Sequence, residues 1–204
     1  KLARNPNISP VEVENLELLV YRQFLSDADC RMLIAKIDAN AVPSSLYIGT
    51  ERPGFRTSYS CHLDRGDPDI ANVEKRMSAI LGIPNRHAET MQGQRYTAGQ
   101  EFKAHHDFFH PGQGYWDHEG PNGGQRSWTA MIYLNMPDEG GATEFPHVKI
   151  GISPEAGTML MWNNCNPDGT LNYKTLHTGT PVTKGVKHVI TKWYRQNDWL
   201  ALNG

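Results

Sequence analysis

Tyr96 to Phe109 reads YTAGQEFKAHHDFF, the aromatic and extended-prone part of a candidate strand from Arg95 to Phe109. On a strand, successive side chains point to opposite faces, so His105 and Asp107 share one face and His106 takes the other. An imidazole and a carboxylate converging on one point are a ligand pair for a divalent cation such as Fe(II). H-x-D alone also fits a surface histidine beside a surface aspartate, so a third ligand has to decide.

Of the nine histidines, His62, His87, His110, His118 and His147 fall in segments that read as loops or strand ends, where a solvated ring suffices. His177 differs, because it lies in a β-like run, LNYKTLHTGTPV, and Pro181 to Gly185 reads as a turn that sends the chain back antiparallel. A turn centred near Val182 pairs Thr175 with Val189, His177 with Lys187 and Gly179 with Gly185. Alternation then puts Lys187, Val189, Thr191 and Trp193 on one face, an ammonium among mostly apolar groups beside a candidate metal ligand. Burying that charge without an anion is costly, so a carboxylate is expected to come to it. A turn placed elsewhere would leave Lys187 an exposed strand residue.

Around this stretch the chain divides in two. Ser26 as cap, Asp29 three residues on, and apolar Cys30, Leu33, Ile34 and Ile37 predict one helix. Asp67, Pro68, the stripe Ile70, Val73, Met77, Ile80 and Leu81, and the stop at Gly82 and Pro84 predict a second. Leu16 to Phe24 reads as a strand. From Gln94 onward no helix is expected, only strands over 95–109, 128–134, 142–145, 157–162, 173–179 and 187–194. Helices packed on an antiparallel β sandwich or barrel follow. His110 to Gln125, HPGQGYWDHEGPNGGQ, is long for a connection and reads as a functional or mobile loop.

The chain has 204 residues, long enough for one sizeable core, and one domain over 1–204 is expected. Twenty basic against 22 acidic side chains, a formal charge of −2, imply no nucleic-acid partner. Cys30, Cys61 and Cys165 are odd in number and far apart, which speaks for buried thiols rather than a disulfide scaffold. No apolar run is long enough for a membrane span, and a soluble domain is expected. The start at Lys1 leaves room for a signal or anchor removed upstream, so the compartment stays open, as does the oligomeric state.

The order Y-x-x-G-Q-x-F-x-x-H-x-D at Tyr96 to Asp107, G-G-x-T at Gly140 to Thr143, and H-x-G-x-P-V-x-x-G-x-K at His177 to Lys187 resembles the prolyl 4-hydroxylase branch of the Fe(II)/2-oxoglutarate oxygenases. F-L-S-D-A-D-C at Phe24 to Cys30, R-T-S at Arg56 to Ser58, G-G-Q-R at Gly123 to Arg126, and Trp193 extend the likeness over about Leu16 to Trp199. The resemblance implies a double-stranded β-helix, or jelly roll, with His105, Asp107 and His177 as catalytic iron ligands. It implies that Lys187 meets the distal carboxylate of 2-oxoglutarate, with Tyr96 and Thr143 supporting that end. It further implies O2 as oxidant and ascorbate as reductant, with 2-oxoglutarate going to succinate and CO2 while C4 of a prolyl ring is hydroxylated.

By the same resemblance Arg126 and Trp193 contact a proline-rich peptide, and the loops at Gly54 to Ser60 and His110 to Gln125 order on it. Phe102 stands where many relatives carry Tyr, which leaves fine substrate preference open. Trp128, Trp162 and Phe145 are expected in the core. The competing readings are an oxygenase acting on another residue or a small molecule, a silent jelly-roll binding module, and a zinc hydrolase. The last offers no reason for a buried Lys187.

Overall fold

A computed structural model describes residues 5–46 and 53–203. Both predicted helices form where their caps place them. In α1, Asp27–Asn40, the Ser26 hydroxyl accepts from the Asp29 amide at 3.2 Å and the Asp29 carboxylate accepts from the Ser26 amide at 3.1 Å. In α2, Pro68–Leu81, Asp67 caps the start, and Gly82 ends it at φ +70°, where a side chain would be strained. Cys30, Leu33 and Ile37 of α1 and Ile70, Val73, Met77 and Leu81 of α2 are buried, while Ile34 and Ile80 are only partly covered.

The helices cover one face of an eight-stranded antiparallel sheet. Its order is Ile8–Pro10, Leu18–Tyr21, Met159–Asn163, Arg126–Tyr133, Val186–Arg195, Gln92–Thr97, Tyr59–His62 and Val42–Pro43. A four-stranded sheet of Ile150–Ile152, Thr143–Phe145, His177–Gly179 and Phe102–His105 faces the other side. Period-two alternation along Val186–Arg195 separates two cores. Ile190 and Tyr194 join the helices, whereas Val189 joins Tyr96, Tyr133, Phe145 and Trp162 between the sheets. The architecture is the mainly β jelly roll with helices packed on one sheet. Lys192, on the helix side, is wholly buried and bonded to Glu74 of α2 at 2.6 Å, which pins that helix to the sheet. Cys30 and Cys61 are buried free thiols and Cys165 is half-buried.

Four expectations need correction. The run 95–109 is not one strand: at Gly99 the backbone turns to φ +83°, so Gln92–Thr97 stays in the larger sheet and Phe102–His105 crosses to the smaller. The run 173–179 opens as a single 3-10 turn, Tyr173–Thr175, and becomes a strand only at His177. Two short helices follow Gln94, α3 at Trp116–Glu119 within the long loop and α4 at Leu200–Asn203. Finally, His177–Gly179 and Val186–Arg195 form no hairpin. His177 opposes His105, and Lys187 opposes Tyr96 in the other sheet. The chain between them pairs Val182–Lys184 with Glu139–Gly140 and bends at Gly185, φ +83°, so it crosses between the layers rather than folding back. The predicted face of Lys187, Val189, Thr191 and Trp193 nevertheless stands, and it looks into the barrel.

Gly93 marks where α1 presses closest on the sheet. A Cβ there would overlap Ile37 Cγ1 and come within 2.9 Å of its Cδ1. Gly93→Ala is expected to destabilise the fold by ~1–3 kcal/mol, read as a lowered midpoint in chemical denaturation. An unchanged midpoint would mean that α1 shifts freely.

Candidate active site

His105 ends its strand, His177 begins the neighbouring one, and their register sets the two rings 4.3 Å apart, centroid to centroid. Asp107, just past the strand end, places one carboxylate oxygen 3.8 Å from His105 Nε2 and the other 3.8 Å from His177 Nε2. Each Nδ1 lies against a backbone carbonyl, Lys103 O at 2.7 Å and Thr175 O at 2.9 Å. A carbonyl only accepts, so each Nδ1 carries a proton and Nε2 is the ring atom left to ligate a metal. Among the described residues these three form the group whose ligand atoms lie within 4.8 Å of one another.

The surroundings hold the donors in place. Thr129 donates to Asp107 Oδ2 at 2.7 Å and accepts from Asn164 Nδ2 at 2.9 Å. Phe102 stacks on the His105 ring at 3.6 Å, and Trp162 meets the His177 ring at 4.9 Å. Trp162 and Phe145 are thus core residues, as expected, that also wall His177. Burial, reinforced by His177, pushes His105 down to about 3, so it is a neutral ligand at any ordinary pH. Burial alone would raise the Asp107 carboxyl, but His177, His105, Arg126 and the Thr129 hydroxyl hold it below its ordinary value. Two imidazoles and one carboxylate fit Fe(II).

Deeper between the sheets lies Lys187, 3% exposed. Its ammonium donates to Gly141 O at 2.7 Å and lies 5.1 and 5.6 Å from the ring centres of Tyr96 and Tyr133. It reaches the smaller sheet, 3.8 Å from where a Cβ on Gly179 would be. No described carboxylate is within ion-pair distance of it. Burial pushes it down to about 7. Thr143, opposite Gly179, accepts from the Tyr133 hydroxyl at 2.6 Å. Burial raises the Tyr96 phenol, with Arg56 opposing, and that hydroxyl donates to Gln94 Oε1 at 3.1 Å. A buried ammonium with no described carboxylate beside it, facing two tyrosine rings and one carbonyl, fits one end of a dicarboxylate such as 2-oxoglutarate.

At the mouth is a cavity of about 760 Å³ whose walls include His105, Asp107, Glu89, Arg126, Phe102 and Trp193. Arg126 and Trp193 are brought together: the guanidinium lies 4.1 Å from the indole centre. Arg126 is also held by Glu89 through two bonds of 2.6 Å. The Trp193 indole Nε1 is buried without an acceptor among the described residues. Thr129, Tyr133, Glu89 and Asn164 were not singled out in the sequence. Counting by two along Arg126–Tyr133 would have put Thr129 and Tyr133 on the inner face. Nothing local marks Glu89 or Asn164.

A jelly roll with two histidines and a carboxylate at its mouth, and a buried lysine behind them, defines a metal-dependent oxygenase of the 2-oxoglutarate class. Residues 91–195 match the 2OG-Fe(II) oxygenase superfamily, and the chain belongs to that family. It is 32% identical over 206 residues to "Probable prolyl 4-hydroxylase 10" of Arabidopsis thaliana, covering 88% of this chain and 69% of that protein. It is 31% identical over 205 residues to "Prolyl 4-hydroxylase 5" of the same plant, with 89% and 69% covered. Among solved structures, the viral collagen prolyl hydroxylase of Paramecium Bursaria Chlorella virus-1 in complex with 2OG superposes with a TM-score of 0.70 at 28% identity, over 87% of this chain and 95% of that one. The reagents of the family are Fe(II), 2-oxoglutarate and O2. No helix among the described residues is long and apolar enough to cross a membrane.

Proposed function

We propose that this chain, acting as one catalytic domain over residues 1–204, hydroxylates peptidyl proline at C4 in proline-rich substrates while 2-oxoglutarate is converted to succinate and CO2. The observation that carries the reading is the convergence of His105, Asp107 and His177, together with a buried Lys187 that meets the Gly141 carbonyl and no described carboxylate. The likeness to plant and viral prolyl hydroxylases supports proline as the substrate.

Fe(II) with 2-oxoglutarate and O2 supplies the oxidising power that no side chain has. His105 and His177 offer Nε2, and Asp107 offers a carboxylate oriented by Thr129 and held ionised chiefly by His177, His105 and Arg126. Lys187 binds the distal carboxylate, Thr143 and Tyr96 line that end, and burial excludes water from it. Trp193 lies on the cavity wall and offers an aromatic surface, which suits a prolyl ring. Arg126, fixed by Glu89, forms the wall beside it.

The test is turnover by iron-loaded protein with 2-oxoglutarate, ascorbate as reductant, and proline-rich peptides. Succinate together with a peptide mass gain of one oxygen atom is expected. Succinate without peptide oxidation would move the substrate elsewhere, and no succinate from folded, iron-loaded protein would leave a silent binding module.

A further inference from the structure

Arg195 closes the strand Val186–Arg195 and is 1% exposed, yet its guanidinium is directed at a loop. Nε donates to Gly124 O at 2.8 Å. Nη1 donates to Glu89 Oε1 and Glu119 Oε2, each at 2.9 Å, and Nη2 donates to Glu119 O at 2.8 Å, Glu119 Oε2 at 2.9 Å and Asn122 O at 2.5 Å. Every acceptor but one belongs to 119–124, within the long loop between the metal-ligand strand and Arg126. The exception, Glu89, is the carboxylate that holds Arg126. Glu119 is itself buried, although Asp117 and His118 beside it are exposed.

The same loop grips the chain next to the metal site. Gln125 accepts from the Phe109 amide at 2.5 Å and donates to the Phe109 carbonyl at 2.7 Å. The Phe109 ring has Arg126 and Arg195 at 4.8 and 4.7 Å from its centre. Two guanidiniums and two carboxylates therefore make one buried, charge-balanced chain, Glu119–Arg195–Glu89–Arg126. Only a planar, five-donor group can serve both carboxylates and three carbonyls at once. Burial, which would raise the Glu89 carboxyl, is outweighed by Arg126 and Arg195, so Glu89 stays ionised between them.

We propose that Arg195 is a positioning residue for peptide capture: it fastens the 111–125 segment to Glu89 and, through Glu89, orients Arg126 on the cavity wall. This rests on the peptide reading of the site above. Seating of the loop and presentation of Arg126 become one event, so disturbing either end of the chain loosens the grip on peptide. The network touches the metal site through Arg126, which donates to the Asp107 backbone carbonyl at 3.4 Å; no metal-ligand atom is among the acceptors of Arg195, and iron and 2-oxoglutarate affinities are expected to change little.

Arg195→Lys and, as the milder change in case the first does not fold, Glu119→Gln test it in the full chain. The expected result for each is a peptide KM raised about tenfold or more, with kcat and peptide-free 2-oxoglutarate affinity within about twofold of the parent. Hydrogen exchange without peptide supplies the second reading. In Glu119→Gln, faster exchange is expected both at 116–124 and at the amides flanking Glu89 and Arg126. A lowered Tm with peptide KM unchanged would overturn the proposal and leave Arg195 a core brace. If the parent oxidises no prolyl peptide, the function proposed above fails, and exchange alone decides the coupling: acceleration confined to 116–124 rejects it.

Discussion

Asp107→Ala is expected to leave the fold standing and reduce succinate formation by more than about a thousandfold, roughly 4 kcal/mol on the barrier. Asp107 supplies the one carboxylate among the three converging donors and sits beyond the strand end, so its loss removes no ladder bond. What remains is two imidazoles whose Nδ1 protons are tied to backbone carbonyls. Such a pair holds Fe(II) weakly, so iron content after anaerobic loading and desalting should fall together with turnover. His106→Ala is the matched control. Its Nε2 lies 3.2 Å from the Tyr173 carbonyl, and its ring stacks on Phe108 rather than joining the ligand group. Retained iron in Asp107→Ala with loss in His106→Ala would reverse the assignment of faces made from the sequence.

That assignment was legible because it depends only on spacing. His105 and Asp107 are neighbours on one side of an extended chain wherever the chain goes, and the caps Ser26 and Asp67 act within a single turn. Lys187 was legible for a different reason: once the face of Lys187, Val189, Thr191 and Trp193 turns inward, an ammonium on it asks for an anion whichever strand it pairs with. The route to it was wrong, since His177 and Lys187 come together across two sheets and not across a hairpin. A jelly roll sends successive strands to facing layers, and a run such as TPVTKG reads the same whether the chain turns back or crosses over. Gly99 carried the signal for the break in 95–109, but alternation on both sides of it reads through. Glu89, Asn164 and the Glu119–Arg195 contact left no trace, because partners separated by tens of residues have no period to betray them.

Two lysines on one strand separate structure from function. Lys192 faces the helices and meets Glu74 at 2.6 Å, and burial, offset by that carboxylate, pushes it down to about 8. Lys187, on the other face and also buried, has only a carbonyl as hydrogen-bond partner among the described residues, and burial pushes it down to about 7. A buried ion pair that pins a helix is complete as it stands. A buried ammonium given no carboxylate is a site whose counter-ion arrives with the substrate.

Lys187→Ala should therefore weaken 2-oxoglutarate binding by about two orders of magnitude or more, the scale of removing one partner from a buried charge pair, while iron content is kept. The pH dependence is the sharper signature. In the free protein Lys187 titrates near 7 against an ordinary 10.5, and a bound carboxylate favours the charged form. Above pH 7 each binding event must then take up a proton, so Kd for 2-oxoglutarate should rise about tenfold per pH unit, and below pH 7 it should level off. Calorimetric titrations in buffers of different ionisation enthalpy measure that proton directly. Stability follows with the opposite partner: between pH 7 and 10.5 the unfolded chain holds a proton that the folded one lacks, so this group makes the free protein more stable as pH rises through that window. Saturating 2-oxoglutarate should flatten the slope by raising the folded value. A Kd independent of pH from 7 to 9, or the same slope in Lys187→Ala, would place the distal carboxylate on another group.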